Sequence, residues 1–155
     1  MNSGRAVAIE LDALGDTRLL WSDWLASAQA VLGVDPTALS GDRGAAATEL
    51  DRHGAGNWRT LLERYSEDRA AVYLRRDAET SAALRALAAS GHTIGVFTDA
   101  PEPLARVALA QLGATRRVAA LEVGTSALER ILVTLGPDTL VFRTREELIE
   151  ARAAK

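Results

Sequence analysis

The chain has 155 residues, a formal net charge of −3, 48% hydrophobic residues and 25% charged residues. This length suits one domain with a hydrophobic core and room for a small insert. Arginine, aspartate and glutamate are scattered evenly, so the sequence has no basic face and nucleic acid is not an expected partner. It also contains no run of about 18 apolar residues, so a membrane-spanning segment is not expected.

Cysteine is absent, which excludes disulfides, thiol catalysis and thiolate metal sites and fits a cytoplasmic location. Residues 1–6 lack the charged and apolar regions of a signal peptide, and this favours the same location. Of the 18 basic residues, Lys155 alone is a lysine and the others are arginines. Chemistry that requires a lysine therefore has no candidate before the last residue.

The hydrophobic pattern predicts four short buried strands that alternate with helices. The predicted strands are residues 7–11, 93–97, 117–123 and 139–142. The predicted helices are residues 20–32, 79–89, 101–112 and 127–135, an apolar stripe at 58–65 and a last helix from about 146. Glycines and a proline in residues 34–57 predict small broken helical pieces in loops.

Strands that alternate with helices of about ten residues predict a doubly wound α/β fold with a parallel sheet. In this prediction, residues 1–16 and 79–155 form the core, and residues 17–78 form a mostly helical insert after the first strand. The reactive cleft of such a sheet lies at the carboxyl ends of its strands. The residues expected to converge there are Glu10, Asp12, Thr98, Asp99, Arg143 and Thr144.

Two carboxylates lie two residues apart at the end of the first predicted strand. Successive strand residues point to opposite faces, so Glu10 and Asp12 are expected on one side and Leu11 on the other. Paired carboxylates suit a magnesium site or an acid/base pair. The alternative is a plain polar strand end that caps the turn into the insert.

Residues 7–17, VAIELDALGDT, resemble the opening motif of the haloacid dehalogenase (HAD) superfamily, four apolar residues followed by Asp-x-Asp-Gly-Thr. Residues 84–99 resemble the second motif with its preceding helix, and residues 132–142 resemble the approach to the fourth. Residues 147–154 are similar to the helix that follows. The resemblance is to phosphoglycolate-phosphatase-like members, and it implies a HAD-like core with a small helical cap.

The resemblance also implies roles for individual residues. In the family, the first acid attacks phosphorus, the second is the acid/base, and a Ser or Thr of the second motif holds the phosphate. Asp12 matches the acid/base and Thr98 matches the phosphate-binding residue. Glu10 takes the place of the nucleophile with an extra methylene, which moves its oxygen by about 1 Å and can cost on the order of 100-fold in rate.

Two further motifs depart from the family pattern. The lysine of the third motif is missing, because residues 124–127 run directly from a strand into a helix. Arg116 or Arg117 could approach, but a guanidinium is not equivalent to a lysine point charge. In the fourth motif, Phe142 and Arg143 replace Gly-Asp, which puts a cation where a metal-binding acid belongs. Glu147 matches a later acid of the family but belongs to the following helix.

These substitutions lead to a hypothesis about the former metal site. Arg143 reaches into that site and pairs with Glu10 and Asp12, so that a guanidinium replaces magnesium. The hypothesis fails if Arg143 lies more than about 6 Å from both carboxylates.

Several polar and aromatic residues have simpler structural interpretations. Asp99 and Glu102 have the spacing of a capping box, which predicts that Asp99 caps the following helix. Thr98 either ends a strand or binds an anion. The three tryptophans are expected in the core of the insert; they are Trp21, Trp24 and Trp58.

The sequence therefore favours a HAD-like domain with degenerate motifs, a pseudo-phosphatase that acts as a non-catalytic binding or scaffolding module. Its partner would be another protein or a second copy of the chain, and no cofactor is expected. One alternative is a weak or atypical magnesium-dependent phosphatase, in which Glu10 and Asp12 hold Mg²⁺, Glu10 attacks or positions water and Asp12 carries the proton. Another is a small-anion binder at Thr98. The ligand, the partner and the oligomeric state do not follow from the sequence.

Overall fold

The computed structural model describes residues 5–153. Within this range the chain forms four strands and eight α-helices. The strands are β1 (Ala6–Glu10), β2 (Thr93–Thr98), β3 (Ala120–Val123) and β4 (Leu140–Phe142). The helices are α1 (Leu11–Leu14), α2 (Arg18–Leu32), α3 (Arg43–Arg52), α4 (Trp58–Tyr73), α5 (Ala78–Ala89), α6 (Glu102–Gln111), α7 (Ala127–Leu135) and α8 (Arg145–Ala153). No helix in residues 5–153 combines the length and the apolar character needed to cross a membrane.

The four strands form one parallel sheet in the order β3-β2-β1-β4. In the register, Ile9 of the central strand β1 lies between Val96 of β2 and Phe142 of β4. The middle of β1 is fully buried, as expected for an inner strand of a parallel sheet covered on both faces. Since all strands run the same way, their carboxyl ends meet at one edge.

Helices cover both faces of the sheet. Helix α7 packs on one face, where Ile131 joins Ala8 and Phe97 in a buried cluster. Gly95 allows this helix to come close, because a β-carbon there would lie 2.7 Å from Leu135 Cδ1. Helices α5, α6 and α8 contribute to a second cluster on the opposite face, which includes Ile9. The prediction of an α/β fold with a parallel sheet is confirmed.

Residues 18–73, which contain α2, α3 and α4, are called the helical segment below. Their apolar side chains form a hydrophobic cluster of their own, centred on Trp24 and Trp58, whose rings lie 6.1 Å apart. Ala100 and Leu104 join this cluster, and α4 packs along α6. The helical segment is therefore attached to the sheet domain through α6. The prediction that the three tryptophans lie in this core is confirmed.

Two predicted elements differ from the structure. The sequence predicts only small broken helical pieces in residues 34–57, but α3 is a regular helix of ten residues. Asp42 caps it by accepting a hydrogen bond from the amide of Ala45, and Leu50 anchors it in the core. The glycines before and inside α3 concealed it in the sequence. The third strand is also shorter than predicted, because a 3₁₀ turn at Thr115–Arg117 takes up its start.

Asp77 connects the start of α5 to the start of α8. Its carboxylate accepts hydrogen bonds from the amide and hydroxyl of Thr80 and from Arg145 Nε, the last at 2.7 Å. The Arg145 guanidinium and the Thr80 hydroxyl lower the pKa of Asp77 to about 2. A carboxylate with a lowered pKa stabilises the folded state above its ordinary pKa of 3.8, and this contribution is lost as the pH falls towards 2.

We predict that Asp77→Ala lowers the free energy of unfolding at neutral pH by about 1 kcal/mol, because α5 loses its cap. The difference from the wild type should shrink as the pH is lowered from about 4 to about 2. Urea unfolding at several pH values measures both effects. Asp68→Ala, an exposed change inside α4, is the control and should cost no more than about 0.5 kcal/mol. An Asp77 effect that is independent of pH would contradict this account.

Candidate functional site

A cleft of about 920 Å³ opens at the carboxyl edge of the sheet. The residues predicted from the sequence to converge there all line it, namely Glu10, Asp12, Thr98, Asp99, Arg143 and Thr144. The helical segment contributes Trp21 and Arg43 to the lining, and the start of α7 contributes Leu128. The two arginines considered as substitutes for the missing lysine do not line this cleft. Arg116 and Arg117 lie in a separate groove.

Asp12 reaches the cleft from the helical turn α1 and not from the strand, which ends at Glu10. The alternation of strand residues therefore does not explain why Glu10 and Asp12 share the cleft. Asp12 Oδ1 accepts hydrogen bonds from the backbone amide of Thr17, at 2.9 Å, and from its hydroxyl, at 2.7 Å. These bonds close the loop between β1 and α2 and fix the direction of the Asp12 carboxylate.

Arg43 is the central cation of the site. Its Nη2 lies 2.9 Å from Asp12 Oδ2 and also 2.9 Å from Asp99 Oδ1. Its Nη1 donates to the Thr17 hydroxyl, and its backbone amide donates to Asp99 Oδ2 at 3.0 Å. The side chain is 5% exposed. The buried guanidinium thus donates three hydrogen bonds, to Asp99, Thr17 and Asp12, and the backbone amide donates a fourth, so that α3 is joined to the ends of β1 and β2.

Arg43 is not among the site residues that the sequence predicts. One signal was present: Arg43 opens a helix, where the helix dipole disfavours a cation, and a run of small residues follows it. A cation in such a position needs carboxylates nearby. The sequence does not show which carboxylates these are, because Asp12 and Asp99 are distant along the chain.

Gly44 fixes the start of α3 from the other side. A β-carbon on Gly44 would lie 2.3 Å from the backbone nitrogen of Thr125, in the loop after β3. Glycine is therefore required for α3 to approach this loop. Together, the Arg43 hydrogen bonds and the Gly44 contact place α3 across the cleft between the ends of β1, β2 and β3.

Glu10 and Arg143 form a looser pair at the open side of the cleft. Arg143 Nη1 lies 3.8 Å from Glu10 Oε2, and the two side chains are 58% and 32% exposed. The Arg143 guanidinium also lies over the ring of Phe97, 5.9 Å from its centroid. Burial, and after it the Asp12 carboxylate, raise the pKa of Glu10, while Arg143 acts in the opposite direction.

The arrangement corrects one part of the Arg143 hypothesis. Arg143 lies close to Glu10, but the guanidinium that bonds to Asp12 belongs to Arg43. The reason is the direction of the Asp12 carboxylate, which Thr17 turns towards the helical segment.

The predicted capping role of Asp99 is wrong. Helix α6 begins after Pro101 without a side-chain cap, and both Asp99 oxygens accept hydrogen bonds from Arg43. Thr98 is 2% exposed, and its hydroxyl oxygen accepts a hydrogen bond from the amide of Ala100 at 3.1 Å. That bond turns the chain after β2 so that Asp99 faces Arg43.

A magnesium ion prefers an octahedral shell of oxygen ligands. Both oxygens of Asp12 and both oxygens of Asp99 already accept hydrogen bonds. Glu10 is paired loosely with the guanidinium of Arg143, at 3.8 Å. In this arrangement the residues do not fit the ion. Within residues 5–153, no group of three or more acidic, histidine or cysteine side chains is placed to hold a metal.

We predict that Gly44→Ala destabilises the protein by about 1–3 kcal/mol, because the new methyl group meets backbone and α3 must shift. Gly41→Ala is the matched control, since a β-carbon there has no neighbour within 4 Å, and it should change stability by no more than about 0.5 kcal/mol. Urea unfolding of the two variants measures the difference. Equal stability would mean that α3 does not depend on its contact with Thr125.

Comparison of the sequence with protein-family models and with curated proteins finds no match in either case.

Proposed function

We propose that this chain is a HAD-like domain that has lost efficient phosphatase chemistry and acts as a non-catalytic binding or scaffolding module. In this proposal, residues 17–78 correspond to the small helical cap of the family. The single observation that carries the proposal is the place of Arg43, whose guanidinium bonds to Asp12 and Asp99 in the cleft.

A phosphatase of this family would use the Asp12 carboxylate as acid and base. Here that carboxylate accepts three hydrogen bonds, two from Thr17 and one from Arg43. Each bond occupies a lone pair of the carboxylate, and the bond from Arg43 belongs to a buried ion pair, so Asp12 is already engaged in holding Thr17 and Arg43 in place. This supports a structural role for Asp12.

The charges around the cleft also favour binding over phosphoryl transfer. Transfer needs cations around the phosphoryl oxygens. The lysine that would supply one is missing, Arg43 is committed to two carboxylates, and Arg18 is paired with Asp16. Glu10 adds a carboxylate at the open side, and burial together with the neighbouring Asp12 carboxylate raises its pKa, which disfavours the charged, nucleophilic form.

The remaining space suits a bound group. Its volume of about 920 Å³ is within the range of sites for small ligands or inserted side chains, about 300–1,000 Å³. Trp21, Phe97 and Leu128 supply apolar wall, and Glu10 and Arg143 supply one charge of each sign. A side chain of a protein partner or a small amphipathic ligand would find both kinds of contact.

A weak phosphohydrolase is the second candidate, and one observation favours it. The Glu10 carboxylate has no tight hydrogen-bond partner among the described residues and opens into the same cleft as Thr98. In that case Glu10 would attack a phosphoryl group or position water.

The deciding experiment measures hydrolysis of para-nitrophenyl phosphate with and without magnesium, for the wild type and for Asp12→Asn. We expect no turnover above that of Asp12→Asn and no rise of Tm on addition of magnesium. Magnesium-dependent turnover that is lost in Asp12→Asn would overturn the proposal and establish the phosphatase.

Arg43→Met provides a second readout. This substitution should lower the free energy of unfolding by about 3–5 kcal/mol, because it leaves two carboxylates without their buried partner. Magnesium should then raise the Tm of this variant although it does not raise that of the wild type. Arg52→Met, an exposed change in the same helix, is the control and should show neither effect. If Arg43→Met does not fold, Arg43→Lys serves, because a single ammonium cannot reproduce the planar fork.

A further inference from the structure

A second concave surface lies away from the cleft, between the start of α5 and the end of α6. It is a shallow groove of about 620 Å³ lined by Arg76, Ala110, Gly113, Thr115, Arg116 and Arg117. Three of these six residues are arginines, and none is acidic. In this respect the groove differs from the cleft, where carboxylates and guanidinia alternate.

The backbone around the groove is fixed. Helix α6 ends with Gly113 in the left-handed conformation (φ 70°), the amide of Gly113 donates to Ala110, and the amide of Ala114 donates to Leu109. This is the double hydrogen-bond pattern of a Schellman motif. The buried Ala114 then anchors the 3₁₀ turn that carries Arg116 and Arg117. Two of the three arginines are therefore mounted on a rigid turn.

Arg76 is held in place from the other side. Its Nε donates to the carbonyl of Gln111 at 3.3 Å. Its guanidinium lies against Gly113, where a β-carbon would be 2.9 Å from Arg76 Cζ. The contact leaves both terminal nitrogens of Arg76 without a hydrogen bond to the described residues.

The charges of the groove are not neutralised within the described part of the chain. Arg116 and Arg117 are exposed and form neither an ion pair nor a side-chain hydrogen bond with residues 5–153. Asp77, the acid next to Arg76 in sequence, is bonded to Arg145 and Thr80. Three guanidinia thus share one groove without a carboxylate of their own.

We propose that this groove binds a phosphate-bearing ligand. A guanidinium donates two parallel hydrogen bonds to phosphate oxygens, and three guanidinia around one groove can surround a group with several negative charges. The Thr115 hydroxyl lies in the same lining as a neutral donor. Because the turn and the Arg76 side chain are already held in place in the unbound protein, less conformational entropy is lost on binding. The proposal is independent of what the cleft does.

The test titrates inorganic pyrophosphate into the purified protein at low ionic strength by isothermal calorimetry, with orthophosphate as a separate arm. The double variant Arg116→Glu with Arg117→Glu should bind pyrophosphate at least about tenfold more weakly than the wild type. The control is Arg64→Glu with Arg85→Glu, which changes the net charge by the same amount at two exposed positions outside the groove. It should retain wild-type affinity. Arg116→Gln with Arg117→Gln replaces the first variant if that one does not fold.

Each other result overturns the proposal. If the wild type does not bind pyrophosphate, the proposal is wrong. An equal loss in both double variants assigns the binding to net charge. A loss in Arg143→Ala with full binding in the groove variant places the anion in the cleft. The orthophosphate titration shows how many phosphate groups the groove holds. Tighter binding of pyrophosphate than of orthophosphate means that the groove contacts more than one phosphate group.

Discussion

The hydrogen bonds of Arg43 join parts of the chain that lie far apart in sequence, 31 residues away at Asp12 and 56 residues away at Asp99. Its guanidinium bonds to Asp12 after β1 and to Asp99 after β2, while its backbone belongs to α3. The orientation of α3, the turn after β2 and the loop that Thr17 closes depend on one another through this side chain. A buried ion pair of this kind adds little net stability compared with an apolar contact, but the loss of one partner is costly. Its effect is to select one arrangement of helix and sheet edge.

The parallel sheet could be predicted because its strands carry a strong local signal. The apolar runs at β1 and β2, together with the glycines that end α2, α5 and α6, specify those elements without reference to the rest of the chain. The gathering of Glu10, Thr98 and Arg143 at one edge followed from topology alone. The sequence therefore predicts well which residues lie at the carboxyl edge of the sheet.

The partners of the site residues could not be predicted in the same way. Asp99 and Glu102 have the spacing of a capping box, yet Arg43, 56 positions before Asp99, donates hydrogen bonds to the Asp99 carboxylate. Gly44 is typical of a loop, but it lies in the first turn of α3, where the lack of a β-carbon allows close contact with Thr125. In both cases a long-range contact overrides a local preference, and no local pattern contains that information.

The shared nitrogen of Arg43 also limits which substitutions the chain can accept one at a time. Asp12 Oδ2 and Asp99 Oδ1 both lie 2.9 Å from Nη2, so removal of the arginine leaves two carboxylates facing one vacated position. Removal of either acid leaves a buried cation with half of its counter-charge. Any single substitution within this trio therefore lowers the stability of the protein. Such a trio changes only by passing through a less stable intermediate or by simultaneous substitutions.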